Sequence, residues 1–179
     1  AALAFAFQEG TFPWLSARNG EMRELFFQGA GIAWERRLPA DRHAGWAEIS
    51  SLLAAGTPVV LRVDMRYLPY RYGGRYGPAY TSFGWHLITL FAVNDAEGYA
   101  LVSDTEYRTL QRISLRDLEK ARTSRTRKFP PRGEYYWAEA APSGYKTDWS
   151  LLLRASIEHV IANYETDAAP GADLAGLGG

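Results

Sequence analysis

Cysteine is missing from all 179 residues of the sequence. Disulfides, thiolate metal sites and thiol redox motifs are therefore excluded for this chain, and cysteine usage gives no information on its redox compartment. An excess of charge of either sign is missing too, because 20 basic residues balance 20 acidic ones. No overall field attracts nucleic acid, an anionic membrane or an acidic substrate, so we expect neither a nucleic-acid nor a membrane partner.

Long hydrophobic runs and the common cofactor motifs are also missing. The longest apolar runs, near residues 87–93 and 151–153, are far shorter than the roughly 20 residues of a membrane-spanning helix. The HExxH spacing, the Walker and Rossmann glycine patterns and GxSxG do not occur. We therefore expect a cytoplasmic protein that uses neither a metal nor a cofactor.

What the sequence does contain is typical of one folded domain with mixed α and β structure. Hydrophobic residues make up 47% of the chain and aromatic residues 14%, which is enough to build a core. Residues 1–7 (AALAFAF) resemble the end of an apolar element, and residues 168–179 resemble a linker of Gly, Ala and Pro. We therefore expect both ends to be cut edges and the N-terminal part to be incomplete.

Four segments have the spacing and end signals of helices. Asn19 is a candidate cap for a short helix that stops before Gly29, and Asp41 is a candidate cap for a second helix that stops at Gly56. Ser114 resembles the first residue of a capping box. Two more helices are predicted over residues 115–121 and 148–164. The last one carries an apolar stripe that is expected to face inward, formed by Trp149, Leu152, Leu153, Ile157, Val160 and Ile161.

Between the helices the hydrophobic pattern changes to that of strands. Residues 58–64 (PVVLRVD) form a β-branched run, and residues 84–94 (GWHLITLFAVN) form a longer apolar strand. Residues 95–98 (DAEG) predict a hairpin loop that returns the chain through residues 99–103 to Asp104. Shorter strands are predicted over residues 110–113 and 134–139. The sequence therefore predicts an α+β fold with an antiparallel pair at its centre.

Two polar residues lie at the ends of this central pair. His86 starts the apolar strand, and Asp104 follows the returning strand 18 residues later, so antiparallel pairing brings them side by side. A carboxylate on one ring nitrogen fixes the tautomer and leaves the other nitrogen free as a general base or thiolate partner. The pair is a candidate for half of a Cys-His-Asp triad. The alternative is that His86 satisfies a backbone carbonyl while Asp104 starts a turn.

The loop over residues 65–82 is rich in Tyr, Gly and Pro. Tyr67 and Tyr70 would place aromatic walls beside the histidine strand, where an acyl or sugar-like ligand fits. Asp64 is a candidate either for orienting the backbone of this loop or for touching substrate, and the alternative is that it starts a turn. We take Asp64, Tyr67, Tyr70 and Trp85 as candidate substrate-binding residues. In the alternative interpretation the tyrosines cover an edge of the sheet.

A basic segment follows the third predicted helix. Arg122 and Arg125, with Arg127 and Lys128 after them, are candidates for gripping the phosphopantetheine of a carrier protein or of coenzyme A, because guanidinium groups match phosphate geometry. The alternative is that the segment is an ordinary solvated charge run.

Four motifs occur in order over residues 46–137: PVVLRVDMRYLPY, FGWH, VSDTEY and LRDLEKARTSRTRKFPP. Together they resemble the N-terminal domain of the butirosin-biosynthesis protein H family, and residues 1–45 resemble it more weakly through GTFPWLSARNGEMRELFFQGAGI. The family pattern usually has Gly before the histidine. This sequence has Trp85 there, a departure that bears on access to the imidazole.

The resemblance implies a papain-like α+β fold related to bacteriocin-processing peptidase domains, with an antiparallel sheet flanked by helices. It implies that residues 1–145 form this domain without its first helix, and that residues 146–179 are the truncated start of a following helical domain. By the same resemblance His86 is the triad base and Asp104 is its orienting acid. The nucleophilic Cys is then expected on a helix upstream of Ala1.

The function that the resemblance implies is that of a thiol-dependent acyltransferase in natural-product biosynthesis, as in aminoglycoside acylation. The acyl group would pass from an acyl carrier protein or a coenzyme A thioester to an amine or hydroxyl of a small-molecule acceptor. This chain, lacking Cys, is expected to be inactive alone. Two alternatives stay open: a papain-like peptidase or amidase, and a non-catalytic module that binds a ligand or partner through the tyrosine-rich loop.

Overall fold

The computed structural model describes residues 6–8, 14–16, 22–41, 43–127, 129–139, 146 and 148–167. The chain divides into two compact units, one formed by residues 34–140 and the other by residues 1–33 together with 141–179. The predicted domain boundary at residue 146 stays a prediction. Asn19, the predicted cap of the first helix, lies outside the described residues.

Short strands and four α-helices make up the described chain. The strands are β1 (Ala6–Gln8), β2 (Trp14–Ser16), β3 (Trp34–Arg37), β4 (Val59–Val63), β5 (His86–Asn94), β6 (Tyr99–Ser103), β7 (Gln111–Ser114) and β8 (Tyr135–Ala138). The helices are α1 (Met22–Gly29), α2 (Trp46–Ala54), α3 (Leu115–Thr123) and α4 (Trp149–Asp167). Three 3₁₀ turns lie between β4 and β5, at Met65–Tyr67, Pro69–Tyr72 and Ala79–Thr81.

The larger unit is built on a six-stranded sheet in the order β3-β8-β4-β5-β6-β7. Every neighbouring pair in it is antiparallel. The prediction of an α+β fold with an antiparallel sheet is therefore confirmed, and so is the central hairpin of β5 and β6. A bulge between Leu90 and Ala92 interrupts the register of that hairpin, which increases the local twist of the strands.

The core lies on one face of this sheet. In β4 the alternate residues Val59, Leu61 and Val63 are buried, as period-2 packing requires. Helices α2 and α3 cover the same face and add Ile49 and Leu118 to one cluster. Each fully buried aliphatic side chain of this kind contributes about 1.5–3 kcal/mol to stability. The covered face is the one that His86 shares, since His86 pairs with Val63 across the strands.

The helix ends follow the predicted signals in two cases and depart from them in a third. The Oγ of Ser114 accepts a hydrogen bond of 3.0 Å from the backbone N–H of Asp117, so this cap is confirmed. Gly56 ends α2 with a φ of +81°. The prediction that Asp41 caps α2 was wrong, because α2 begins after Gly45, whose φ is +88°. A Cβ there would lie 2.5 Å from the ring of Tyr135.

The smaller unit contains β1 and β2, which pair antiparallel, together with α1 and α4. The prediction that the apolar stripe of α4 faces inward was wrong for the members whose side chains are described. Trp149, Leu153, Ile157 and Ile161 are all exposed. None of the helices in the described residues has both the length and the hydrophobicity of a membrane span.

Candidate active site

The candidate site lies where the central hairpin ends. The register of β5 and β6 sets Thr89 opposite Ser103. One residue further, Asp104 lies across from Ile88, and His86 is two residues away on the same face of the sheet. The Nε2 atom of His86 lies 3.0 Å from Oδ2 of Asp104. The predicted contact between the two side chains is therefore confirmed, while their catalytic role stays a prediction.

Asp104 is a buried carboxylate, and three donors converge on one of its oxygens. Besides the imidazole, Oδ2 accepts a hydrogen bond of 3.0 Å from the hydroxyl of Tyr70 and one of 3.2 Å from Nη1 of Arg71. The side chain of Asp104 is fully buried and that of Arg71 nearly so. A buried carboxylate is stable only when it is paired and hydrogen-bonded in this way. The site is thus a four-residue cluster and not an isolated pair.

The partners of Asp104 hold it in its ionised form. Burial alone would raise the pKa of Asp104, but the hydrogen bond and charge of His86, the Tyr70 hydroxyl and the Arg71 guanidinium outweigh it and lower that pKa. Conversely, burial and the Asp104 charge raise the pKa of Tyr70, so the phenol keeps its proton and remains a donor. The carboxylate is therefore negative at neutral pH and ready to stabilise an imidazolium beside it.

His86 keeps its second ring nitrogen available. Among the described residues Nδ1 has no hydrogen-bond partner, and the side chain is 14% exposed. Which nitrogen carries the proton follows from the contact: a negative carboxylate at Nε2 accepts its N–H and leaves the lone pair on Nδ1. An imidazole oriented in this way can take a proton from a thiol or an amine placed next to Nδ1.

Further contacts hold Tyr70 and Arg71, two of the three donors to Asp104, in place. The ring of Tyr70 packs edge-on against Tyr107 at 5.4 Å, and the Tyr107 hydroxyl donates to the Tyr70 carbonyl at 3.3 Å. The Nη2 of Arg71 donates to Glu106 at 2.6 Å. Sequence reasoning missed Arg71 and assigned Tyr70 to substrate. The available signal was the position of both residues in the motif YLPYRY, directly before the loop's glycines.

Asp64 is fully buried and saturated with donors. Its Oδ1 accepts from the backbone N–H groups of Arg66 at 3.1 Å and Phe83 at 3.0 Å. Its Oδ2 accepts from the hydroxyls of Ser82 and Ser124, both at 2.6 Å. The carboxylate thus ties both ends of the loop of residues 65–82 to the end of α3, and a role in binding substrate stays a prediction.

The remaining aromatic candidates lie on different sides of the sheet. Tyr67 packs against the core and meets Tyr76 edge-on at 5.2 Å. Trp85 contacts the ring of Phe129 at 5.0 Å and the guanidinium of Arg62 at 5.3 Å. Because Arg62 alternates with Val63, Trp85 lies on the face opposite the imidazole and does not cover it. The predicted roles of Tyr67 and Trp85 in binding substrate stay predictions.

The basic residues predicted to grip phosphate differ in exposure, and Lys128 lies outside the described residues. Arg125 is exposed, whereas Arg122 is fully buried. The Arg122 guanidinium lies 5.1 Å from the ring of Trp46 and donates to Glu119 at 3.2 Å, and burial lowers its pKa. Arg122 therefore does not reach the solvent in which a carrier's phosphate would lie, whereas a role of Arg125 in binding phosphate stays a prediction. Within the described ranges, no cluster of three or more His, Asp or Glu side chains has the arrangement of a metal site.

A family model described as butirosin biosynthesis protein H, N-terminal, matches residues 1–105. The matched segment ends one residue after Asp104 and so contains all four residues of the cluster around its carboxylate. No curated protein matches the chain.

Proposed function

Because the chain belongs to the butirosin biosynthesis protein H family, N-terminal domain, we propose that His86 and Asp104 are the base and orienting acid of a thiol-dependent acyltransferase. The donor is a thioester of an acyl carrier protein or of coenzyme A, and the acceptor is an amine or hydroxyl of a small molecule. The same proposal gives the antiparallel sheet a papain-like arrangement around the site.

One observation carries the proposal: the 3.0 Å contact between His86 and a buried, ionised Asp104. A lone histidine at a strand end normally satisfies a backbone group. Here its partner is a carboxylate whose pKa is lowered and which two further side chains, Tyr70 and Arg71, hold in place. Such an arrangement fixes a tautomer and stabilises a positive imidazole, which is what a thiolate partner requires.

The sequence contains no Cys, so the thiol of this proposal comes from residues outside it. The thiolate attacks the thioester carbonyl, and the donor's thiol leaves with a proton from the imidazolium of His86. The acceptor then attacks the acyl-enzyme, gives its proton back to His86 and takes the acyl group. The enzyme thiolate and the imidazolium are regenerated, so protons and bonds balance over the two steps.

Acyl loading of the full-length protein tests the proposal. With an acyl thioester donor, intact mass should show an added acyl group in the parent protein and none in His86→Ala. His43→Ala is the matched control, because His43 is exposed and bonds only Glu119 and Asp41 among the described residues. Unchanged loading of His86→Ala, with its fold retained, would reject the proposal.

Product analysis separates transfer from hydrolysis. The same triad hydrolyses an acyl-enzyme when water reaches it before an acceptor. Release of free acid at the same rate with and without an amine acceptor would indicate a peptidase or amidase. Absence of any acyl loading in the full-length protein would indicate a non-catalytic binding module instead.

A further inference from the structure

A cleft of about 540 Å³ lies away from the candidate active site. Arg62 lines it, and Arg62 alternates along β4 with Val63, the residue that pairs with His86. The cleft is therefore on the opposite face of the sheet from the imidazole. Its volume is in the range of small-molecule sites. The residues that line it are Arg36, Leu38, Arg62, Arg127, Phe129, Pro130, Arg132 and Glu134.

The cleft is strongly positive although the chain as a whole is neutral. Four arginines line it and a single carboxylate, Glu134, opposes them, which leaves three positive charges unbalanced. Glu134 is buried, and its hydrogen bonds to Arg62 and Arg36 outweigh burial and lower its pKa. The charge of Glu134 is therefore paired with Arg62 and Arg36, and it does not neutralise the guanidinium groups of Arg127 and Arg132.

The guanidinium groups divide into those that build the wall and those that face a ligand. Arg62 donates to the Gly84 carbonyl at 3.0 Å, to Glu134 at 2.8 Å and to the Phe129 carbonyl at 3.2 Å. In the described part of the chain, Arg36 uses only its Nε, in a bond of 2.7 Å to Glu134, so its Nη groups remain available. Exposed Arg127 and Arg132 have no ion pair or hydrogen bond to any described residue.

The same cleft has an apolar side. Phe129 is 50% exposed and its ring contacts Phe83 at 5.6 Å and Trp85 at 5.0 Å. Phe129 and Arg132 have φ of +54° and +60°, and they are the only non-glycine residues with positive φ in the described ranges. Residues held in this disfavoured region often serve a binding site. Here both present their side chains to one cleft.

We propose that this cleft binds a small phosphorylated molecule whose organic part packs on Phe129. Planar guanidinium groups bind phosphate oxygens in pairs, and three of them (Arg36, Arg127 and Arg132) have donors left to do so. The exposed aromatic ring offers a face on which a flat or apolar group stacks. The site is separate from His86, so this proposal stands whether or not the chain takes part in acyl transfer.

Calorimetric titration with adenosine 3′,5′-bisphosphate tests the proposal, with adenosine as the probe that lacks phosphate. The chain should bind the bisphosphate saturably and adenosine at least about tenfold more weakly, because charge-assisted hydrogen bonds each contribute more than 1.4 kcal/mol. The double substitution Arg127→Gln/Arg132→Gln should weaken bisphosphate binding by about tenfold or more.

Arg108→Gln/Arg116→Gln is the matched control, since it removes two exposed arginines outside the cleft. Its affinity should stay within about twofold of the parent chain, and circular dichroism checks that both double variants fold. Absence of saturable bisphosphate binding, equal binding of adenosine, or equal loss in the two double variants would overturn the proposal.

Discussion

At the residue scale, the central feature is a single oxygen that receives three donors. Oδ2 of Asp104 accepts from His86, Tyr70 and Arg71 at 3.0–3.2 Å. Because the carboxylate is buried, water does not replace a donor that is removed, and the charge of Asp104 is left with one hydrogen bond fewer. The donors therefore act together in holding the imidazole, and the phenol of Tyr70 is the one that can be removed with the least change of shape.

Tyr70→Phe removes that hydroxyl and keeps the ring. We expect a loss of about 1.5–3 kcal/mol in the free energy of unfolding, because one hydrogen bond to a buried charge disappears. In the full-length protein we expect acyl loading to slow by about tenfold as Asp104 becomes a poorer orienting group. Urea denaturation and stopped-time intact mass measure the two effects.

Tyr80→Phe is the control for this substitution, because Tyr80 is 84% exposed. It should change neither quantity. If Tyr70→Phe behaved like Tyr80→Phe in both measurements, the hydroxyl of Tyr70 would have no part in the cluster.

At the element scale, the start of β5 is fixed by a close approach of two backbone segments. A Cβ on Gly84 would lie 2.3 Å from the Phe129 carbonyl oxygen and 2.6 Å from Cδ of Pro131. Only glycine leaves room for this contact. Gly84 lies two residues before His86, so this contact sets both the entry of the histidine strand and one wall of the cationic cleft.

Gly84→Ala should therefore destabilise the chain by about 3 kcal/mol, the upper end of the usual range for overpacking, because the added Cβ meets backbone and not a flexible side chain. Gly73→Ala is the comparison: its φ is +62° but a Cβ there would meet nothing within 4 Å. It should cost only the backbone strain, about 1 kcal/mol. Equal free energies of unfolding for the two variants would contradict the close approach.

The sequence predicted the central strands but not the contacts that depend on residues distant in the chain. The β-branched run, the long apolar run and the hairpin loop predicted β4, β5 and β6, and pairing of β5 with β6 then placed His86 beside Asp104 without further information. The role of Arg71 was missed because it depends on how the 3₁₀ turns fold back over the sheet. The cap of α2 was missed because Gly45 is selected by the ring of Tyr135, a residue 90 positions away in the chain.

At the scale of the whole molecule, the sheet separates two different chemical environments. The buried face carries the imidazole and its ionised carboxylate, and the other face carries the cationic cleft around Glu134. Asp104 and Glu134 are both buried, and hydrogen bonds from charged partners outweigh burial and lower both pKa values. Each face of the sheet thus carries one ionised carboxylate, Asp104 or Glu134, whose protonation at low pH destabilises the fold.

A carboxylate with a folded-state pKa below its unfolded value stabilises the fold above about pH 4, and that contribution is lost as pH falls through the folded pKa. We therefore expect the free energy of unfolding to drop steeply below about pH 4. Asp104→Asn should be less stable at neutral pH and show a shallower drop. Asp95→Asn, a change in the exposed hairpin turn, should follow the parent curve. Parallel curves for Asp104→Asn and the parent chain would contradict the ionised state of Asp104.

The tautomer of His86 tests the account most directly. A long-range ¹⁵N–¹H correlation spectrum of the chain at alkaline pH distinguishes a ring proton on Nε2 from one on Nδ1. We predict that the neutral ring of His86 carries its proton on Nε2, donated to Asp104, and that this preference is lost in Asp104→Asn. A proton on Nδ1 in the parent chain, or a spectrum that Asp104→Asn leaves unchanged, would contradict the account.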